Sequence, residues 1–73
     1  MATFEQRLQE LRMEKNLTLK AAGALLGISE RAVSYYIEGK RRPDFDGLIA
    51  LAEYFDVSMD YLVGRTDKRE VNR

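Results

Sequence analysis

Apolar residues recur at helical spacing from the start of the chain. The first run has three members, at positions i, i+4 and i+7 on one face of a helix: Phe4, Leu8 and Leu11. Thr3 stands just before this run and Gln6 follows three residues later, which is the spacing of a helix-capping box. The pattern therefore predicts a first helix over residues 3–15, with its end near Asn16.

Four further helical segments follow, each introduced by a short polar side chain. They are predicted over residues 19–26, 30–38, 45–54 and 59–63. Side chains suited to the N-cap position precede them: Thr18, Ser29, Asp44 or Asp46, and Ser58. Gly27, Gly39 and Gly64 stand where three of the segments end. The sequence thus predicts an all-α fold of five helices with short connections.

The connection between the second and third helices is only about three residues long. So short a link makes two helices cross steeply, which is the arrangement of a helix-turn-helix. Gly23 allows a close approach, Gly27 tolerates the left-handed backbone of the turn, and Val33 anchors the third helix from within. The rest of the inner surface is predicted to consist of Ala22, Leu26, Ile28, Ala32 and Tyr36.

The last two helices carry most of the aromatic residues. Residues of the fourth helix predicted to face inward are Leu48, Leu51, Ala52 and Phe55. Core positions are also expected for Phe45, Tyr54, Tyr61 and Leu62. The apolar residues left outside, with Val57, Met59 and Val63, would form a patch for a second copy of the chain. We expect one domain over residues 1–64 and a charged, flexible tail over 65–73, in which only Val71 is apolar.

Composition limits the chemistry that the chain can perform. Its 73 residues suffice for one domain. They include no cysteine and no histidine, which removes disulfides, the usual metal ligands and the usual general base. We therefore expect no enzyme, no metal site and no cofactor. No apolar stretch approaches the ~20 residues of a membrane span, and no signal peptide is visible, so a soluble cytoplasmic protein with no membrane partner is expected.

The net charge is zero, but the charges are unevenly distributed. Residues 29–42 have a net charge of +2, whereas residues 43–63 contain five acidic residues and no basic one. A surface that binds phosphates needs only local positive potential, and the opposite surface is free to be acidic. The neutral total is therefore compatible with a nucleic-acid partner.

Short runs at fixed separations resemble a known family. They are Leu17-Thr18, Leu26 to Ser29, Val33-Ser34, Gly39-Lys40 and Pro43, then Leu48 to Phe55, Val57-Ser58 and Asp60 to Leu62. Together, over about residues 4–64, they resemble the Cro/C1-type (XRE family) helix-turn-helix transcriptional regulators of bacteria and phages. The resemblance implies a compact five-helix, lambda-repressor-like DNA-binding domain. Its third helix would enter the major groove of double-stranded DNA.

The resemblance also implies which side chains touch the bases. The outward positions of the third helix would read them: Glu30, Arg31, Ser34 and Tyr35. Arg31 can donate two hydrogen bonds to guanine, and Glu30 can accept one from cytosine. Tyr35 can touch a thymine methyl group or donate to a phosphate. The alternative for all four is a solvated helix surface.

Phosphate contacts are implied on both flanks of the third helix. The expected residues are Thr18, Lys20, Ser29, Lys40, Arg41 and Arg42. Thr18 and Ser29 stand at helix N-termini, where backbone N–H groups are available to anions. Three adjacent cations after the third helix favour a nearby anion, although a solubilising loop is the alternative.

Two positions depart from the family pattern. Relatives often carry glutamine where this chain has Leu19, and a glutamate where it has Ile37. That glutamate often pairs with an arginine late in the first helix, which is Arg12 here. Arg12 is therefore expected to reach Glu38, an acidic residue of the fourth helix, or solvent.

Three functions are compatible with these features. The first is a sequence-specific transcription regulator, most simply a repressor, which binds a pseudo-palindromic operator as a homodimer through its fourth and fifth helices. The second is the antitoxin of a toxin–antitoxin pair. The third is a protein-interaction module without DNA binding, which the neutral charge alone favours.

Overall fold

A computed structural model describes residues 2–71, which form five α-helices and no strand. The helices are α1 (Phe4–Glu14), α2 (Leu19–Leu26), α3 (Glu30–Glu38), α4 (Phe45–Phe55) and α5 (Met59–Leu62). The predicted all-α class and all five predicted helices are confirmed, with bounds that differ by one residue at most. No helix among the described residues is long and apolar enough to cross a membrane.

Each helix begins at a polar N-cap whose side-chain oxygen accepts a hydrogen bond from the backbone N–H three residues later. These caps are Thr3, Thr18, Ser29, Asp44 and Ser58. Thr3 and Gln6 form the predicted capping box, because each side chain bonds the backbone of the other residue. Asp44, and not Asp46, caps α4, where its carboxylate accepts from the Gly47 N–H at 2.8 Å. Local chemistry therefore sets the start of every helix.

The main core lies between α1, α4 and α5. Its most deeply buried members include Leu8 and Leu62, and Tyr61 is buried beside them. Three of the four residues of α4 predicted to face inward are buried, and Leu48 packs against the core from a half-buried position. Tyr54 is half-buried against the same cluster, with its ring 5.0 Å from that of Phe55.

Two expectations about the last helices are wrong. Phe45 is 71% exposed, because it occupies the first position of α4, one turn before Leu48 reaches the core. Val57 is only 4% exposed, so it belongs to the core and not to an outer patch. Asp56 has a left-handed backbone, with φ of +55°, and this reversal turns Val57 inward after the end of α4. Met59 and Val63 are half-buried.

Arg12 is half-buried and so partly open to solvent, and in the described part of the chain it bonds neither Glu38 nor an acidic residue of α4. Its Nε and Nη2 atoms donate to Oε1 of Gln9 at 3.0 and 2.9 Å, and Nη1 donates to the Leu17 carbonyl at 2.6 Å. Gln9 lies one turn earlier on the same helix, and the chain leaving α1 brings the Leu17 carbonyl within reach. Local acceptors therefore satisfy the guanidinium without a carboxylate from α3 or α4.

The described part of the predicted tail, residues 65–71, contacts α1 and α5. The buried guanidinium of Arg7 donates to the Thr66 carbonyl and to Asp67 Oδ1, at 3.3 and 2.7 Å. The Ser58 N–H donates to the Arg69 carbonyl at 2.9 Å, and Arg69 forms a double ion pair with Glu14. The division of the chain at residue 64 stays a prediction, and these contacts join its two sides. Residues 72 and 73 of the predicted tail lie outside the described residues.

Candidate nucleic-acid interface

The turn between α2 and α3 depends on two glycines for different reasons. A Cβ atom on Gly23 would lie 2.7 Å from the Ile28 carbonyl oxygen, so any larger residue would push the turn away from α2. Gly27 has φ of +72° and closes α2 in the left-handed conformation, with open space around its missing Cβ. The close approach and the tight turn that the sequence predicts are both confirmed.

The inner surface of α3 packs against α2 and α1. Val33 is 1% exposed, and Ala22 of α2 is buried as well. The other predicted inner residues are half-buried: Leu26, Ile28, Ala32 and Tyr36. Leu26 and Tyr36 pack against the main core. The inner side of α3 is therefore packed on α2 and α1, and its opposite side faces away from them.

The predicted base-reading residues lie on that opposite side. Glu30 and Arg31 are exposed in the first turn of α3, and Ser34 and Tyr35 are half-buried one turn later. Residues four apart lie on the same face of a helix, so the pairs Glu30/Ser34 and Arg31/Tyr35 form two adjacent rows. The structure brings all four side chains onto one surface.

The loop after α3 folds back over Tyr35. Gly39 has φ of +77°, and the Tyr35 carbonyl accepts hydrogen bonds from the N–H groups of Lys40 and Arg41, at 2.9 and 3.3 Å. Lys40 Nζ and Arg41 Cζ lie 5.8 and 5.7 Å from the centre of the Tyr35 ring. Lys40 also pairs with Glu38 at 3.1 Å. The sequence analysis missed this contact, although Gly39 was a usable signal because a left-handed residue reverses the chain.

The remaining predicted phosphate-binding residues lie at helix starts and in the loop. The Thr18 hydroxyl accepts from the Ala21 N–H at 3.0 Å, and the first turn of α2, which includes Lys20, contains no acidic residue. The Ser29 hydroxyl accepts from the Ala32 N–H at 3.0 Å. Lys20 and Arg42 are exposed. Within residues 2–71 no group of three or more acidic side chains is placed to hold a metal ion.

Comparison with known proteins assigns this arrangement to a family. Residues 8–62 match the family described as Helix-turn-helix. The chain belongs to the helix-turn-helix family. It is 41% identical over 64 residues to the HTH-type transcriptional regulator AnsR of Bacillus subtilis, an alignment that covers 88% of this chain and 55% of AnsR. This chain therefore spans about half the length of the curated relatives it matches.

Solved structures of helix-turn-helix proteins share the fold. A transcriptional regulator from Listeria innocua superposes with a TM-score of 0.82 at 38% identity, over 97% of this chain and 64% of that one. The P22 c2 repressor protein, solved in complex with synthetic operator 9T, also superposes with a TM-score of 0.82. It is 24% identical, over 90% of this chain and all of the repressor chain, and this likeness shows the fold alone.

Proposed function

We propose that this chain binds double-stranded DNA sequence-specifically and regulates transcription, with α3 in the major groove. The observation that carries the proposal is the position of α3. One side of the helix is packed on α2 and α1, and the other presents Glu30, Arg31, Ser34 and Tyr35 beside a loop of three cations. A helix supported in this way is the usual reader of the major groove in helix-turn-helix proteins.

The proposed roles divide into readers and phosphate contacts. Arg31 is exposed in the first turn of α3, from which its guanidinium can reach the N7 and O6 atoms of guanine. Phosphates on either side of the reading helix would be bound by Thr18, Lys20, Ser29 and the loop cations Lys40, Arg41 and Arg42. The relative named AnsR and the solved neighbour from Listeria innocua are transcriptional regulators, which supports the same function here. Occupation of a promoter site by this domain in the bacterial cytoplasm would repress transcription.

Affinity measurements on two arginine variants test this division. Arg31→Ala is expected to lose about 1–3 kcal/mol of discrimination between the selected site and random DNA, because a bidentate contact to one base is removed. Arg41→Ala is expected to weaken binding to both DNAs equally and to lower the slope of log K against log salt by about 1, because one phosphate contact is lost.

Fluorescence anisotropy with a site selected from a random pool provides the measurement. Absence of binding by the unmodified chain at low salt would overturn the proposed function. If both variants lost affinity equally for the selected site and for random DNA, the proposed placement of α3 in the major groove would be wrong. Arg65→Ala is the matched control, because Arg65 lies after α5, beside Asp60, and far in sequence from the helix-turn-helix.

Homodimerisation is a separate part of the proposal. The observation that favours it is a groove between α4, the start of α5 and Val71. The half-buried Ile49 and Met59 line this groove, together with the acidic Glu53 and Asp56. Two copies joined there would present two α3 helices to a pseudo-palindromic site. Sedimentation equilibrium, with and without the selected duplex, tests this. A single domain bound to an asymmetric site would contradict it.

A further inference from the structure

The ring of Tyr35 lies beneath two cationic side chains of the loop that follows α3. Arg41 Cζ is 5.7 Å and Lys40 Nζ is 5.8 Å from the ring centre. The negatively charged face of an aromatic ring attracts a cation within ~6 Å. Tyr35 is half-buried, and both cations are exposed. The ring therefore provides a common contact surface for these two flexible side chains.

The backbone of Tyr35 holds the same two residues. Its carbonyl oxygen accepts from the N–H groups of both Lys40 and Arg41, and the left-handed Gly39 makes this reversal possible. Tyr35 thus contacts both cationic residues twice, through its carbonyl oxygen and through its ring. Glu38 restricts Lys40 further through their ion pair at 3.1 Å.

We propose that Tyr35 is a positioning residue for phosphate binding, whose ring holds Lys40 and Arg41 together at the end of α3. The proposal rests on the proposed DNA-binding function and goes beyond it. Long lysine and arginine side chains lose rotamer freedom when they are fixed on a phosphate. A ring that restricts them beforehand lowers this cost, which is the general effect of preorganisation.

This role makes different demands from base reading. A reader that uses the hydroxyl group needs tyrosine, and a reader that touches a thymine methyl needs only an apolar side chain. A platform for cations needs an aromatic ring with or without the hydroxyl. Tyr35→Phe keeps the ring, whereas Tyr35→Leu keeps only the apolar contact and Tyr35→Gln keeps neither.

The experiment measures binding of these three variants to a selected duplex and to a random-sequence duplex over a range of salt concentrations. We expect Tyr35→Leu and Tyr35→Gln to weaken binding to both duplexes by about tenfold, because two long side chains must then lose their rotamer freedom on binding. The salt slope should fall by no more than about 1, because both cations are retained and only the fraction of time that they spend on phosphates decreases. Tyr35→Phe should stay within about twofold of the unmodified chain, since its ring still attracts both cations.

A Lys40→Ala/Arg41→Ala background tests whether Tyr35 acts through the cations. In that background Tyr35→Leu should cause no further loss, whereas an independent contact to DNA would produce an additive one. Tyr54→Leu is the matched control, because Lys15 lies 5.6 Å from the Tyr54 ring in a similar contact outside the helix-turn-helix. Its salt slope should equal that of the unmodified chain.

The outcomes separate this inference from the proposed function. If the unmodified chain binds neither duplex in a salt-dependent way, the proposed function fails. If it binds but Tyr35→Phe loses as much as Tyr35→Leu, or the loss is confined to the selected duplex, Tyr35 reads DNA directly and the positioning role is wrong. Thermal unfolding of each variant shows that it is folded at the binding temperature, and the glutamine variant replaces the leucine variant if the latter aggregates.

Discussion

Single atoms decide the geometry of the helix-turn-helix. Gly23 and the Ile28 carbonyl approach so closely that one additional carbon would lie 2.7 Å from the oxygen, and the Ile28 N–H donates back to the Gly23 carbonyl at 2.9 Å. Gly27, four residues later, is needed for its backbone angle and not for space. Replacing Gly23 creates a steric clash, whereas replacing Gly27 strains the backbone, so variants of the two residues can separate these effects.

Gly23→Ala should destabilise the fold and also displace α3. A contact with a backbone oxygen cannot be relieved by a side-chain rotation, and overpacking of this kind costs about 1–3 kcal/mol. Gly27→Ala places alanine at φ of +72° in open space, which costs about 1–2 kcal/mol and leaves the helices where they are. Urea denaturation measures both losses.

DNA affinity distinguishes the two glycine variants. At a temperature where both are folded, Gly23→Ala should bind the selected duplex more weakly than Gly27→Ala, because only the former changes the angle between α2 and α3. Equal affinities would show that the turn absorbs the additional carbon without moving α3.

Local rules define the helices, and this is why they could be predicted. An N-cap side chain, a first-turn partner and a terminal glycine all act within four residues, so the chain reveals them without its fold. The exposure of Phe45 and the burial of Val57 depend on which elements pack together, and both were predicted wrongly. The candidate readers followed from helical geometry and the family resemblance. The contact of Tyr35 with the loop requires three-dimensional placement.

Two N-cap threonines separate helix stability from DNA binding. Thr3 and Thr18 are both exposed and each accepts from the N–H three residues later, so replacing either with alanine should cost about 1 kcal/mol of folding free energy. Thr18→Ala should in addition lower affinity for all DNA sequences, because it removes a proposed phosphate contact beside the N-terminus of α2.

Denaturation and binding curves on the same samples check this expectation. Thr3→Ala serves as the control, since α1 carries no proposed DNA contact. Equal DNA affinity in the two alanine variants would exclude Thr18 from the phosphate-binding set while leaving its capping role intact.

At the scale of the whole molecule, the residues after α5 pack against the start of the chain and against side chains of α1. A Cβ atom on Gly64 would collide with the Ala2 carbonyl, so the end of the helical region lies against the start of the chain. Beyond it, Arg69 packs 5.2 Å from the centre of the Tyr61 ring, and Arg7 lies 3.9 Å from the same ring. A hydrogen bond from Arg69 lowers the pKa of the Glu14 carboxyl below its ordinary value. Residues 65–71, which their charged composition predicts to be a tail, therefore form hydrogen bonds and ion pairs with side chains of the helices.

Shortening the chain to residues 1–64 tests this dependence. The side chain of Arg7 is only 8% exposed, and the hydrogen bonds of its Nη2 atom go to Thr66 and Asp67, which the shortened chain lacks. Hydrogen bonds to a charged group contribute about 1.5–3 kcal/mol, so we expect the free energy of unfolding to fall by about 2–3 kcal/mol. In a domain of this size, such a loss lowers the melting temperature by about 10–20 °C.

A double-mutant cycle assigns that loss to Arg7. Arg7→Met should destabilise the full chain more than the shortened one, because in the latter the charge it removes has already lost its acceptors Thr66 and Asp67. The difference should be about 1–3 kcal/mol, a coupling typical of residues in one network. Arg12→Met is the matched control, since its acceptors Gln9 and Leu17 are present in both chains, and its effect should not depend on length. If Arg7→Met also has the same effect at both lengths, the segment after Gly64 stabilises the fold through some other contact, and the ion pair between Glu14 and Arg69 becomes the next one to break.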